Sequence, residues 1–297
     1  MRFKAKISKE NVGVLHGVMS AFDHISHKAV LHLSPKEFKI ALVTESTDAP
    51  QCYAVMSTQF LFEDYRIESQ SENAILFEIG LDQLSWVLAS GKVAEKAMLK
   101  LVKRGAKPCL CLEALSQSAA AMKVMHDIPI RILPTSHLVN HLPPEIPPPS
   151  VALKLPRGKM MRTIIQKLNT FSKIMFLTAK QAGRLEFRVV HAQVTIKTFY
   201  NNLVPDYTGH LTRENDSGNS ASVKIDVRKL SSILSMKDLP WDDARIFIVE
   251  GTIVLIQLTL PSFEGGDGNE SGTIDFYLPI MLIEDEEDLG EDGGDVV

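Results

Sequence analysis

Ile79, Leu81, Leu84 and Leu88 return 146 residues further on, at the same spacing, as Ile225, Val227, Leu230 and Leu234. The segments around them recur in the same order. In the first half, strands are expected at Arg2–Ile7, Ala29–Leu33, Phe38–Val43, Cys52–Met56, Ile75–Ile79, Met98–Val102, Cys109–Leu115 and Ile128–Ile132, several of them alternating apolar and polar residues. Two helices interrupt them. Over Asn11–Ser26, Val12, Leu15, Met19, Phe22 and Ile25 fall on one stripe, and a shorter helix runs from about Asp82 to Ser90. The second half has a strand at Val151–Leu155 and a helix over Gly158–Ser172, with Met161, Ile164, Ile165, Leu168 and Phe171 on its core stripe. Strands follow at Ile174–Thr178, Leu185–Val190 and Val194–Tyr200, then a short helix from near Val227, then Arg245–Val249, Ile253–Leu260 and Ile274–Leu278. A unit of this length can bury its own core, so the repeat implies an α+β fold of two similar domains, residues 1–133 and 151–283.

Residues 134–150 join them, and the prolines at 134, 143, 144, 147, 148 and 149 make this an extended, fairly stiff connector with few donors. The polar stretches 205–221 and 262–272 are expected to be loops. The net charge of −4 divides unevenly. Residues 284–297 carry eight acids and no base, which leaves +4 on the body and marks the tail as disordered. That excess is too small to name nucleic acid as the partner; the placement of the bases must decide.

The remaining inventory excludes several classes. The opening residues are charged and alternating, unlike a secretory signal, and no apolar run reaches the ~18 residues of a membrane span. A cytosolic or nuclear protein is expected. Cys52, Cys109 and Cys111 are too few for a disulfide framework, and no second ligand cluster accompanies Cys109 and Cys111 to hold a metal, so burial is the favoured role. His16, His24, His27 and His32 divide between a solvent-facing helix side and a strand, a poor arrangement for a metal. There is no Gly-rich phosphate loop and no nucleophile elbow.

The sequence resembles the PCNA-like sliding clamps, and more closely the Hus-type subunit of the nine-one-one DNA-damage checkpoint clamp. The resemblance is carried by Met1-Arg-Phe-Lys-Ala-Lys-Ile7, Leu33-Ser-Pro35 with Phe38, His126-Asp-Ile-Pro-Ile-Arg-Ile132 leading into the connector, Lys224-Ile-Asp-Val-Arg-Lys-Leu230, and Phe276-Tyr-Leu-Pro279. It covers about residues 1–283. It implies antiparallel sheets outside and helices lining a central channel. It also implies a non-enzymatic, nuclear subunit of a heterotrimeric ring that encircles duplex DNA without regard to sequence, with some of the protein in the cytoplasm. The implied partners are two related clamp subunits, a clamp loader, and checkpoint and repair enzymes. No cofactor, metal or membrane is implied.

The resemblance also assigns surfaces. Lys159, Arg162, Gln166 and Lys173, opposite the core stripe of the Gly158–Ser172 helix, and Arg228 and Lys229 on the short helix would face DNA. Their counterparts in the first half are His16, Ser20, His24 and His27, with Asp82 and Gln83, so the second half is the more basic. An ordinary solvated helix face carries similar charges. Edge strands at Pro108–Leu115 (Cys109, Cys111, Glu113) and Gln193–Tyr200 (Val194, Ile196, Thr198) would pair between subunits. Leu138, Leu142 and Ile146 in the connector would border an outer groove for client peptides, or merely pin the connector down. Two other readings stay open: a homotrimeric replicative clamp, and a metal-dependent nuclease, for which no carboxylate cluster is evident.

Overall fold

The computed structural model describes residues 1–44, 46, 48–115, 123–156, 159–207, 219–234, 236, 239, 241–261 and 272–281. The tail at 284–297, most of the 205–221 loop and the 262–271 segment lie outside them. No helix among the described residues is long and apolar enough to cross a membrane.

The first half runs β1 (Arg2–Ile7), α1 (Lys9–Asp23), β2 (Lys28–Leu33), β3 (Glu37–Leu42), β4 (Gln51–Ser57), α2 (Thr58–Leu61), β5 (Asp64–Glu68), β6 (Ile75–Gly80), α3 (Leu81–Gly91), β7 (Lys96–Arg104), β8 (Lys107–Leu115), β9 (Lys123–Pro129) and β10 (Arg131–Leu133). A 3₁₀ helix at Thr135–His141 leads to β11 (Val151–Lys154), α4 (Lys159–Phe171), β12 (Ile174–Lys180), β13 (Arg184–His191) and β14 (Val194–Tyr200). Then come β15 (Ser220–Asp226), α5 (Val227–Leu234), β16 (Asp243–Val249), β17 (Ile253–Thr259) and β18 (Gly272–Pro279).

All the strand pairs are antiparallel, and they form three sheets. One has the order β5-β1-β7-β8-β9, one β14-β13-β12-β15, and the largest β10-β6-β2-β3-β4-β18-β17-β16-β11. The run β6-β2-β3-β4 thus matches β15-β12-β13-β14, and β1-β7-β8-β9 matches β11-β16-β17-β18. The nine-stranded sheet crosses from one half to the other at β4–β18, where Gln51–Met56 pair with Tyr277–Gly272.

Local chemistry places the helices over these sheets. Ser8 caps α1, its side chain accepting from the Asn11 amide at 3.2 Å, and the Asn11 side-chain amide donates to the Phe60 and Leu61 carbonyls at 2.7 and 3.2 Å. The first turn of α1 is thereby tied to α2. Along α1, Val12, Leu15, Met19 and Phe22 are fully buried, while Ile25, expected on the same stripe, lies two residues past the helix and is partly so. Phe22 meets Phe276 of β18 edge to face, ring centroids 6.0 Å apart, so one apolar core runs through both halves. α1 packs on α3, and α4 on α5.

Several expectations need correction. Phe171 is 46% exposed: the core stripe of α4 ends at Leu168, and the last helical residue turns outward. β5, α2 and β15 are additional to the expected elements, and β15 begins inside the 205–221 stretch expected to be a loop. The connector is not wholly extended, since Thr135–His141 winds into a 3₁₀ helix between Pro134 and the prolines from 143 on. The strand expected at Ile128–Ile132 is two strands. The chain leaves one sheet at Pro129 and enters another at Arg131.

Candidate functional site

The break between β9 and β10 moves a sheet edge. β8, carrying Cys109, Cys111 and Glu113, is not an edge strand, because β9 pairs along it from Leu115↔Lys123 to Cys109↔Pro129. Cys109, Cys111 and Glu113 are consequently buried. The edges of that sheet are β5 and β9, and the edge beyond β8 is β9, Lys123–Pro129. In the second half β14 is a free edge, carrying Val194, Ile196 and Thr198. Val194 and Phe199 are exposed there at 58% and 42%, and the Arg184 guanidinium stands 4.6 Å from the Phe199 ring centroid. Each edge presents unpaired backbone donors and acceptors among the described residues.

Charge fastens β9 to β8. Glu113, 4% exposed on its side chain, is bonded by Lys100 of β7 and lies 3.1 Å from Lys123 of β9, while Arg104 donates to Asp127 at 2.6 Å. The Lys100 hydrogen bond holds the Glu113 carboxyl below its ordinary pKa, and the Arg104 hydrogen bond does the same for Asp127. A carboxyl with a lowered folded pKa contributes stability above the ordinary carboxylate range and loses it as pH falls through the lowered value. The melting temperature is therefore expected to drop on acidification below about pH 4. Glu113→Gln should lower it already at pH 7 and make the acid slope shallower. An unchanged acid slope would show that these pairs contribute nothing to stability.

The helix surface was expected to carry a basic patch. Arg162 is half-buried, Gln166 and Lys173 are exposed, and Lys229 is half-buried. Lys159 opens α4, but its side chain lies outside the described residues. Arg228 is exposed and bound twice to Asp226, Nε to Oδ1 at 3.1 Å and an Nη to Oδ2 at 2.6 Å. This pairing holds the Asp226 carboxyl below its ordinary pKa and gives the Arg228 guanidinium a partner within its own chain.

The connector residues separate. Leu138 packs on Val30, Leu76 and Leu133, and with Leu142 it lines a groove over Tyr53, Ala41 and His32. Its volume of about 80 Å³ admits a side chain and is well below a small-molecule site. Leu142 stays 45% exposed at its rim. Ile146 does not share that groove; it rests on a second patch of Ala152, Phe247, Leu255 and Tyr277. Leu138 therefore pins the connector as well as lining the groove.

A family model described as "Hus1-like protein" matches residues 1–281. The chain is 26% identical over 285 residues to the "Checkpoint protein hus1 homolog" of Dictyostelium discoideum, covering 95% of this chain and 99% of that one. It is 25% identical over 295 residues to the "Checkpoint protein HUS1" of Homo sapiens, covering 95% and 100%. Among solved structures, PCNA from Thermococcus kodakaraensis superposes with a TM-score of 0.67 at 14% identity, covering 94% of this chain and all of that one. The Proliferating Cellular Nuclear Antigen of Entamoeba histolytica does so at 0.69 and 12%, covering 94% and 99%. The fold is PCNA-like.

Proposed function

The chain belongs to the Hus1-like family, and from that premise we propose that it is one non-catalytic subunit of a heterotrimeric nuclear clamp that encircles duplex DNA at damage sites. The observation that carries this reading is that two of the sheet edges, β9 and β14, are by the repeat the counterparts of β18 and β4, which already pair within the chain. A closed ring needs two joining edges per subunit, and antiparallel pairing across each joint satisfies backbone groups that would otherwise invite aggregation. The helices α1, α3, α4 and α5 would then face the channel. Arg162, Lys173 and Lys229, with Lys159, would supply sequence-independent attraction to phosphates, the chemistry a ring that slides requires. The groove at Leu138 and Leu142 is the proposed docking place for short apolar segments of checkpoint and repair enzymes, and a loader would open the ring.

A homotrimer would use the same two edges; family membership favours the heteromer. Sedimentation of the pure chain, alone and with two companion clamp subunits from the same organism, separates them. The expected result is no concentration-stable trimer of the chain alone and a 1:1:1 complex in the mixture. A stable trimer of the pure chain would overturn the heteromeric reading.

A further inference from the structure

Trp86 is 67% exposed on α3. A side chain with so much apolar area gains a great deal from being covered. The ring meets His126 of β9 edge to face at 5.3 Å between centroids, and His126 Nε2 is 3.1 Å from Ser90 Oγ, one helical turn beyond Trp86. Trp86 is thus held against the free edge strand of its sheet.

A cleft of about 500 Å³ opens beside it. Its floor is Val87 and Ile128, both buried, and Met125, 44% exposed, stands at its rim. Two acidic residues line the same cleft. Asp127 is occupied by Arg104, whereas Asp82, four residues before Trp86 on the same helix face, makes no ion pair among the described residues. An aromatic face beside a carboxylate with no ion-pair partner among the described residues suits a long cationic side chain, its stem on the ring and its charge toward the acid.

The occupant is defined by the strand next door. The open ladder of β9 accepts another β-strand, and whatever strand pairs there lays its alternate side chains over the cleft. We propose that Trp86 anchors the subunit joint at the β9 edge, receiving an arginine or lysine from the edge strand of a neighbouring clamp subunit whose charge Asp82 balances. This rests on the clamp reading and adds to it. The joint is anchored by one aromatic residue as well as by backbone pairing, and its chemistry differs from that of the β14 edge. There Phe199 already has Arg184 from its own chain over it, so the two edges are not interchangeable.

The chain holds two tryptophans, Trp86 and Trp241, so a 5-fluorotryptophan-labelled full chain gives two ¹⁹F signals, assigned with Trp86→Phe. Adding the two companion clamp subunits without DNA should shift and broaden the Trp86 signal. Trp86→Ala should weaken assembly at least about 30-fold, as loss of an interface hot spot does, with an unchanged melting temperature. Trp86→Phe should recover part of that loss. Asp82→Asn should weaken assembly several-fold and flatten its salt dependence. Wild-type assembly by Trp86→Ala would overturn the proposal. So would a Trp86 signal that moves only when duplex DNA is added, which would assign the ring to nucleic acid. Failure of the wild-type chain to associate with any clamp subunit would instead sink the clamp reading itself.

Discussion

Phe22→Ala is expected to destabilise the whole chain by about 3–5 kcal/mol, the cost of emptying a buried aromatic site that cannot collapse. Phe22 and Phe276 are both fully buried, and they meet across the boundary between the halves. The cavity would lie where α1 of the first half rests on β18 of the second, with rigid sheet behind it. Denaturant unfolding should stay a single transition, with a lower midpoint and an unchanged slope, because the two halves share the β4–β18 ladder. A biphasic curve in which only one transition moves would show that the halves unfold separately. That would deny the coupling read from this contact.

The second large effect is on DNA retention. In the assembled ring, replacing Lys159, Arg162, Lys173, Arg228 and Lys229 together with Ser is expected to flatten the slope of log affinity against log salt. Each lost phosphate contact contributes about 0.9. Arg228 is already bonded to Asp226, so four contacts count and the change is about 3.6 rather than the full five-residue value. Between 50 and 200 mM salt the wild-type ring should therefore lose about two decades more affinity than the variant. Arg228→Ser alone should change little. The fold should survive, since substitutions on a wet helix face usually cost within ~0.5 kcal/mol each. An intact ring with an unchanged slope would mean that these bases form an ordinary solvated face.

Much of the architecture was legible because burial imposes period. The stripe of α1 and the alternation of β1 and β14 follow from one face being hidden, and each of these elements ends within a few residues of where the pattern ends. The edges were harder. In β9 the residues that alternate inward are Val124, His126 and Ile128, and the middle one is a histidine, so the period fades and only its apolar end at Ile128 stood out as strand. β5 was hidden for a related reason. It is a five-residue edge strand with three charged residues, a composition that protects an edge and resembles a loop. β15 does alternate, burying Ala221, Val223 and Ile225, yet it follows a long polar run that masked its start. At the candidate site, the sequence shows Asp226 beside Arg228 but not that a strand-to-helix junction turns the two side chains toward each other. Trp86 could have been noticed only as an apolar residue off the Leu81, Leu84, Leu88 stripe, which says that it points outward and nothing of what it meets.

The nine-stranded sheet has a mechanical consequence. A subunit bends where few bonds cross, and here an uninterrupted ladder joins the halves through the six residues Gln51–Met56, with an aromatic pair beneath it. Flexing the subunit at its middle would shear that ladder. In the proposed ring each protomer therefore behaves as a stiff arc, and any strain imposed by prising the ring open passes undiminished to the joints at β9 and β14. The gate of the clamp would lie between its subunits, and the weakest joint would decide where it parts.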